Sequence, residues 1–265
     1  MINTLTSVIS VILYIAAGWI LTLRLSNKQG DQGKPITMAL IAAGLHAMVL
    51  YQGFITVQGI NFGFFNAVSL LSWLIALFLI IASYTKPIEN LGIAIFPLAA
   101  FAIILTLAFP SEHILSSEDV TMLEAHILIS IIAYSFLSIA AVQAILLAIQ
   151  DRHLHNKHPG GLIRALPPLQ TMESLMFQML GIGFILQSFS LVSGFIFLED
   201  MFAQHLVHKT TLSILAWIIF AILLWGRWRF GWRGKTAIRW TLGGFVSLLL
   251  AYLGSKLVLE IMLNR

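Results

Sequence analysis

The sequence predicts an all-α membrane protein, a polytopic bundle of eight transmembrane helices that forms a single domain over residues 1–265. Hydrophobic residues make up 59% of the chain and charged residues only 10%, against about 25% charged in ordinary soluble domains. Long apolar runs recur along the whole chain, and turn-forming residues separate them. The absence of cysteine excludes disulfides, thiolate metal sites and covalent attachment of haem through Cys.

Each predicted helix is an apolar stretch of roughly 20 residues, the length that crosses the hydrocarbon of a bilayer. The breaks between the stretches contain residues that end helices, among them Gly30, Pro87, Pro110 and Pro159. The predicted helices cover residues 4–25, 36–57, 63–84, 88–109, 121–149, 173–198, 208–226 and 238–261.

The distribution of Lys and Arg predicts that the N-terminus and the C-terminus both lie outside the cytoplasm. Basic residues concentrate in alternate breaks, and cytoplasmic loops carry such an excess. With an even number of helices, both ends of the chain then lie on the outer side. The basic residues assigned to the inner side are Arg24, Lys28, Lys34, Lys86, Arg152, Lys157, Arg164, Arg227, Arg229, Arg233, Lys235 and Arg239.

The first predicted partner is the lipid bilayer, and the inner basic loops are expected to contact anionic headgroups. The cluster Arg227–Arg233 alternates cations with aromatic rings. Interfacial Trp and snorkelling Arg produce this pattern at a membrane surface. The cluster is therefore interpreted as a membrane anchor, and nucleic acid is not an expected partner.

His46 is the most unusual polar residue of the predicted helices. It lies about eleven residues into the second helix, or about 16 Å along it, near the centre of the bilayer. An ionisable group at that depth indicates function. His46 could be an axial ligand of haem or a proton relay. Alternatively, it could be a neutral imidazole that hydrogen-bonds a neighbouring helix.

His126 lies just inside the outer end of the fifth predicted helix, beside Glu124 and near Asp119. A neutral imidazole binds metal, and a nearby carboxylate can fix its tautomer. His126 could equally be a boundary residue with one ring nitrogen in water. Both interpretations stay open at this point.

The remaining histidines form two weaker groups. His205 and His208 are three residues apart, which would place both rings on one side of a helix. Two histidines do not complete a metal site, so their role stays open. His153, His155 and His158 lie in an inner stretch rich in Lys, Arg, Pro and Gly, which is typical of a solvated linker.

Motifs for enzymatic chemistry are missing from the sequence. There is no phosphate-binding GxxxxGK[ST] stretch and no HExxH pattern. Ser and Thr are frequent in the predicted helices, but none is paired with a general base at a recognisable spacing. We therefore expect a protein that is not an enzyme.

Several stretches resemble the CcsA and HemX group of the cytochrome c assembly, or haem-handling, superfamily. In the fifth helix, His126 followed by Ser130 and Tyr134 is similar to the family's HxxxS pattern. Over the whole chain, the length is similar to that of the YpjD-like branch of inner-membrane proteins. The other stretches that carry the resemblance are residues 209–217, 223–226, 231–235 and 244–254.

The resemblance implies a multi-pass protein of the bacterial inner membrane that handles haem during cytochrome c maturation. His126 matches the family's first outer histidine, and Lys209 matches the lysine that closes its Trp-rich outer motif. The rest of that motif is missing, because residues 200–208 contain neither Trp nor Asp-Pro. Trp225 stands where the synthases have a membrane histidine, and the second outer histidine has no counterpart.

Because of these differences from the family pattern, we expect a function other than haem–cytochrome c synthesis. The leading hypothesis is non-enzymatic haem binding, or assistance to haem-protein maturation, with haem as cofactor and His46 and His126 as the binding residues. The alternative is an accessory or scaffold subunit of another complex or transporter, one that has lost haem chemistry and works with a membrane-protein partner. A transporter in its own right is a weaker hypothesis, since paired broken helices are not evident.

Overall fold

A computed structural model describes residues 2–27, 33–56, 59–61, 63–109, 114–115, 120–155, 166–197 and 207–254. The described part of the chain contains eight α-helices, which confirms the predicted all-α class. They are α1 (Ile2–Asn27), α2 (Gly33–Phe54), α3 (Phe64–Ser83), α4 (Gly92–Ala108), α5 (Val120–His155), α6 (Leu169–Phe197), α7 (Val207–Phe230) and α8 (Gly234–Leu249).

Seven of the described helices, α1 to α7, are long and apolar enough to cross a membrane. The eighth, α8, has 16 residues and continues as a short π-helical segment, Leu250–Gly254. The last part of the predicted span 238–261 lies outside the described residues. The outward orientation of both termini stays a prediction.

The helices α5 and α7 extend a turn or more beyond the C-terminal ends predicted from hydropathy. α5 was expected to end at residue 149, but it continues to His155, because polar residues lower hydropathy without breaking a helix. His153 and His155 therefore belong to its last turn and not to a linker. α7 was expected to end at residue 226 but reaches Phe230. The next residue, Gly231, adopts a positive φ of 67°.

Three short strands, which the sequence did not predict, form a small antiparallel sheet. They are β1 (Ile55–Thr56), β2 (Gly59–Asn61) and β3 (Ile114–Leu115), in the order β1-β2-β3. The sheet joins the α2–α3 connection to the segment after α4. These two connections therefore lie on the same side of the helices, as the predicted topology requires.

The chain divides into two compact units. Helices α1 to α4 and the small sheet belong to the first unit, and helices α5 to α8 belong to the second. The expectation of one domain over residues 1–265 stays a prediction.

In the first unit, α1 packs against α2 and α4. Small residues allow the close approach of α1 and α4. A Cβ atom at Gly18 would lie 3.3 Å from the Pro97 ring, and one at Gly92 would lie 2.8 Å from Leu21. Tyr14 and Phe96 are among the largest fully buried side chains of the core.

In the second unit, α5 packs along α6, and α8 packs against α5 and α7. Glycines again mark close contacts. A Cβ atom at Gly183 would lie 2.7 Å from Leu137, and one at Gly244 would lie 2.4 Å from the Phe220 ring. Larger side chains at either position would force these helices apart.

Candidate functional sites around two histidines

His46 on α2 lies in the core of the first unit, with no exposed surface. Its Nε2 atom is 2.9 Å from the Ser69 hydroxyl on α3. Its ring meets the Tyr14 ring of α1 edge to face, with centroids 5.9 Å apart. Tyr14 in turn stacks on Phe96 of α4 at 6.0 Å. All four helices of the unit therefore contribute to this cluster.

Two polar atoms of the cluster are buried without a hydrogen-bond partner among the described residues. They are the Nδ1 atom of His46 and the hydroxyl of Tyr14. A buried polar group without a partner costs about 1–3 kcal/mol, and native structures contain few of them. Burial of the His46 imidazole and the Tyr14 phenol in this cluster therefore lowers the stability of the fold.

His126 on α5 is only partly buried, and its Nδ1 atom is 2.9 Å from the Ser193 hydroxyl on α6. The Ser193 hydroxyl donates to the backbone carbonyl of Ser190 at 2.9 Å. When its one proton is used there, the Ser193 oxygen is free to accept from the Nδ1–H of His126. In that tautomer Nδ1 carries the proton, and Nε2 keeps the lone pair that can bind a metal.

Further hydroxyls hold this arrangement on both helices. Ser130 lies one turn after His126 and donates to the His126 carbonyl at 2.7 Å. The Ser130 and Ser190 hydroxyl oxygens are also 2.7 Å apart. The serines at 190 and 193, three residues apart on α6, were not singled out from the sequence. Only the packing of α6 on α5 shows that they face His126.

An open apolar groove of about 300 Å³ adjoins the His126–Ser193 pair. Ser193 is its polar member, and Phe189 and Ile196 on its rim are largely exposed, at 59% and 68%. The groove therefore lies on the surface of the second unit beside Ser193, the hydrogen-bond partner of His126. Its lining residues are Ile129, Leu186, Phe189, Val192, Ser193 and Ile196.

A cation lies near the same histidine. The Lys209 ammonium, in the first turn of α7, is 5.5 Å from the centre of the Tyr252 ring. The Tyr252 ring is 5.7 Å from that of Tyr134 on α5. The charge of Lys209 also acts electrostatically on His126. The region therefore combines an imidazole, hydroxyls, an apolar groove and a positive charge.

Of the weaker predicted sites, the structure describes His153, His155 and His208, all of which are exposed. His208 is exposed at the start of α7, whereas His205 and His158 lie outside the described residues, as does the side chain of Glu124. His153 is exposed, and its Nδ1 atom is 2.9 Å from the Ile149 carbonyl of its own helix. Within the described part of the chain, no group of three or more His, Asp or Glu residues could hold a metal ion.

The fold and these clusters define a class of protein: a polytopic helical membrane protein with one closed and one accessible imidazole. The chain belongs to the cytochrome c assembly protein family, whose sequence model matches residues 35–263. This confirms the predicted resemblance.

Individual relatives agree with the family assignment. The inner membrane protein YpjD of Escherichia coli K12 is 33% identical over 89% of this chain and 90% of its own length. The cytochrome c biogenesis protein CcsA of Microcystis aeruginosa is 23% identical over 86% of this chain and 84% of its own. No solved structure matches. With seven helices among the described residues that are long and apolar enough to cross a membrane, and the similarity to YpjD, the chain is a multi-pass inner-membrane protein.

Proposed function

We propose that this protein binds haem without catalysing a reaction, and that it assists the maturation of haem proteins, with His126 as an iron ligand. The observation that carries the proposal is the hydrogen bond between His126 and Ser193, with Ser193 donating onward to Ser190. This arrangement presents Nε2 in its metal-binding form. Metal-binding histidines in proteins generally donate from their other ring nitrogen in this way.

The surroundings of His126 match the chemistry of haem, which is flat, largely apolar, centred on iron and edged by two carboxylates. The groove beside Ser193 offers apolar surface to the macrocycle. Lys209 offers a positive charge to a carboxylate. The iron would supply the ligand-binding centre, and the hydroxyls of Ser190 and Ser193 would orient the imidazole that holds it.

The geometry around His46 supports haem binding less well. Its Nε2 atom is engaged by Ser69, and its ring is enclosed by Tyr14. Iron could reach Nε2 only after that hydrogen bond broke and the helices of the first unit separated. We therefore place the principal haem ligand at His126 and treat His46 as the second candidate.

The proposal does not include synthase activity. A haem–cytochrome c synthase has to present haem to the thiols of an apocytochrome, and its family relies on a Trp-rich outer motif. In this chain, residues 200–208 contain no Trp. We infer a role in holding or transferring haem, with a cytochrome assembly partner completing the chemistry.

Absorption spectra of the detergent-purified protein, oxidised and reduced with dithionite, test the proposal. We expect a Soret band that sharpens on reduction and disappears in the double variant His46→Ala, His126→Ala. If this band persists unchanged in the double variant, neither histidine binds the iron. If the wild-type protein stays colourless after haem is added, the proposed function is excluded.

The alternative function, an accessory subunit that has lost haem chemistry, is favoured by one observation. Trp225, which stands where the synthases have a membrane histidine, is 56% exposed on α7. Exposed aromatic residues within a span can contact lipid or another helix. A colourless protein that copurifies with one stoichiometric membrane partner, and loses it on Trp225→Ala, would support this alternative.

A further inference from the structure

The connection between α7 and α8 is a tight turn that presents positive charge at the end of a membrane span. Gly231 and Gly234 both adopt positive φ, 67° and 54°, a conformation that glycine accepts at little cost. They reverse the chain within a few residues after α7 ends at Phe230. The turn therefore lies where the apolar part of α7 gives way to polar sequence.

Glu173 on α6 fastens this turn, although nothing in the sequence indicated it. One carboxylate oxygen of Glu173 accepts from Arg227 at 2.8 Å. The other accepts from the backbone N–H of Gly234 at 3.0 Å. Arg227 also donates to the Trp232 carbonyl at 3.1 Å. Both ends of the turn are thus bonded to one carboxylate.

Aromatic packing adds to these bonds. The Trp232 ring lies directly on Gly226, where a Cβ atom would come within 2.4 Å of it. Trp232 also contacts the Trp240 ring, with centroids 5.6 Å apart. The Arg227 guanidinium lies 4.7 Å from the centre of the Phe177 ring. Arg227 is therefore part of the fold of the turn and not a free interfacial anchor.

The other cations of the turn remain on the outside. Arg229, Arg233, Lys235 and Arg239 are exposed, and we call them the basic turn surface. Trp228 beside them is 82% exposed. Among the described residues, Glu173 forms ion pairs with this turn, with Arg227 at 2.8 Å and with Arg233 of the basic turn surface at 3.9 Å. The surface therefore keeps most of its positive charge.

We propose that the basic turn surface is a binding site for the headgroup of an anionic phospholipid. Arg presents a planar set of N–H donors that suits phosphate oxygens. Exposed Trp at the end of a span positions the site at headgroup depth. Each basic residue close to the membrane adds to the attraction for anionic lipid, and all four lie between residues 229 and 239, in the fixed turn or on the helices beside it.

Thermal unfolding of the delipidated full-length protein in detergent tests this site. We expect phosphatidylglycerol to raise the unfolding temperature, whereas phosphatidylcholine and inorganic phosphate do not. In the variant R229Q/R233Q/K235Q, the phosphatidylglycerol concentration for half of the maximal rise should increase at least tenfold. Copurified phosphatidylglycerol, counted by mass spectrometry, should fall in parallel.

A matched variant separates a built site from general attraction between charge and membrane. The variant K34Q/K86Q/R152Q removes three exposed cations elsewhere on the chain, and its half-maximal concentration should stay within threefold of wild type. Equal losses in both variants would overturn the proposal, as would an unchanged response in the first. A rise produced equally by inorganic phosphate would show a free-anion site instead.

The variant Glu173→Gln distinguishes general electrostatic attraction from the proposed site, because the two predict opposite changes in lipid affinity. General electrostatics predicts tighter lipid binding, because the variant gains positive charge. The proposed site predicts weaker binding by about threefold or more, because the turn loses the carboxylate that orders it. Tighter binding by Glu173→Gln would contradict the proposal, and the exposed triple variant keeps it testable if Glu173→Gln does not fold.

Discussion

His46 in the first unit and His126 in the second each contact a serine hydroxyl at 2.9 Å, but their surroundings differ. His46 is fully buried, and its Nδ1 atom has no partner among the described residues. His126 is partly exposed, and its Nδ1 atom is the engaged one. The same side chain is therefore closed to a ligand in one unit and accessible in the other.

The comparison shows that membrane depth alone does not identify a ligand-binding histidine. Depth made His46 the most unusual residue of the sequence, because burial of an ionisable group is costly. The partly exposed imidazole, however, is that of His126, nearer to the predicted outer end of its helix. What matters for binding is which ring nitrogen the protein engages and what space adjoins the other one.

The largest expected difference between the two histidines is in folding. His46→Ala should lower the free energy of unfolding by about 3 kcal/mol, because it opens a cavity and leaves Ser69 without its imidazole partner. His126→Ala should cost about 1 kcal/mol, because its site is open. Equilibrium unfolding in mixed detergent micelles measures both, and equal losses would contradict the distinction between closed and open sites.

The next largest effect concerns the two serine partners. Ser193→Ala should weaken haem binding by about tenfold, because the partner of a metal-bound imidazole typically contributes 10–100-fold. Ser69→Ala is the matched control, and its haem affinity should stay within about twofold of wild type. Haem titration followed by the Soret band gives both values. Equal losses of haem affinity in the two variants would indicate that both histidines bind the iron.

The smallest effect tests the closed cluster around His46. Tyr14→Phe removes a buried hydroxyl that has no partner among the described residues, so it should raise the free energy of unfolding by about 1 kcal/mol. Tyr134→Phe is the control, since the Tyr134 hydroxyl donates to the Leu248 carbonyl at 3.5 Å. This variant should be neutral or destabilised. Destabilisation by Tyr14→Phe would show that its hydroxyl has a partner in the folded protein.

The helices could be predicted because hydrocarbon imposes a minimum length and prohibits unpaired backbone groups. Their ends were less predictable. Gln150, Asp151 and Arg152 stop the apolar run but do not end α5, which continues to His155. The strands, with two or three residues each, are too short to produce a periodic pattern.

The sites could be predicted only in part, for a different reason. His46 and His126 are visible in the sequence because a histidine in an apolar run is rare. Ser193 and Glu173 are not, because serines are common in these helices and Glu173 lies 61 residues from Gly234, whose N–H it accepts. Their roles depend on contacts between helices, which hydropathy and spacing do not report.

The most direct test of the account is haem titration of two single variants, His126→Ala and His46→Gln, beside wild type. Glutamine at position 46 keeps a hydrogen-bonding group for Ser69, so the first unit should stay folded. We expect His126→Ala to lose haem affinity by about a hundredfold and to recover part of it with added imidazole. His46→Gln should bind haem as wild type does. Normal haem affinity in His126→Ala, with loss in His46→Gln, would contradict the assignment of the accessible site.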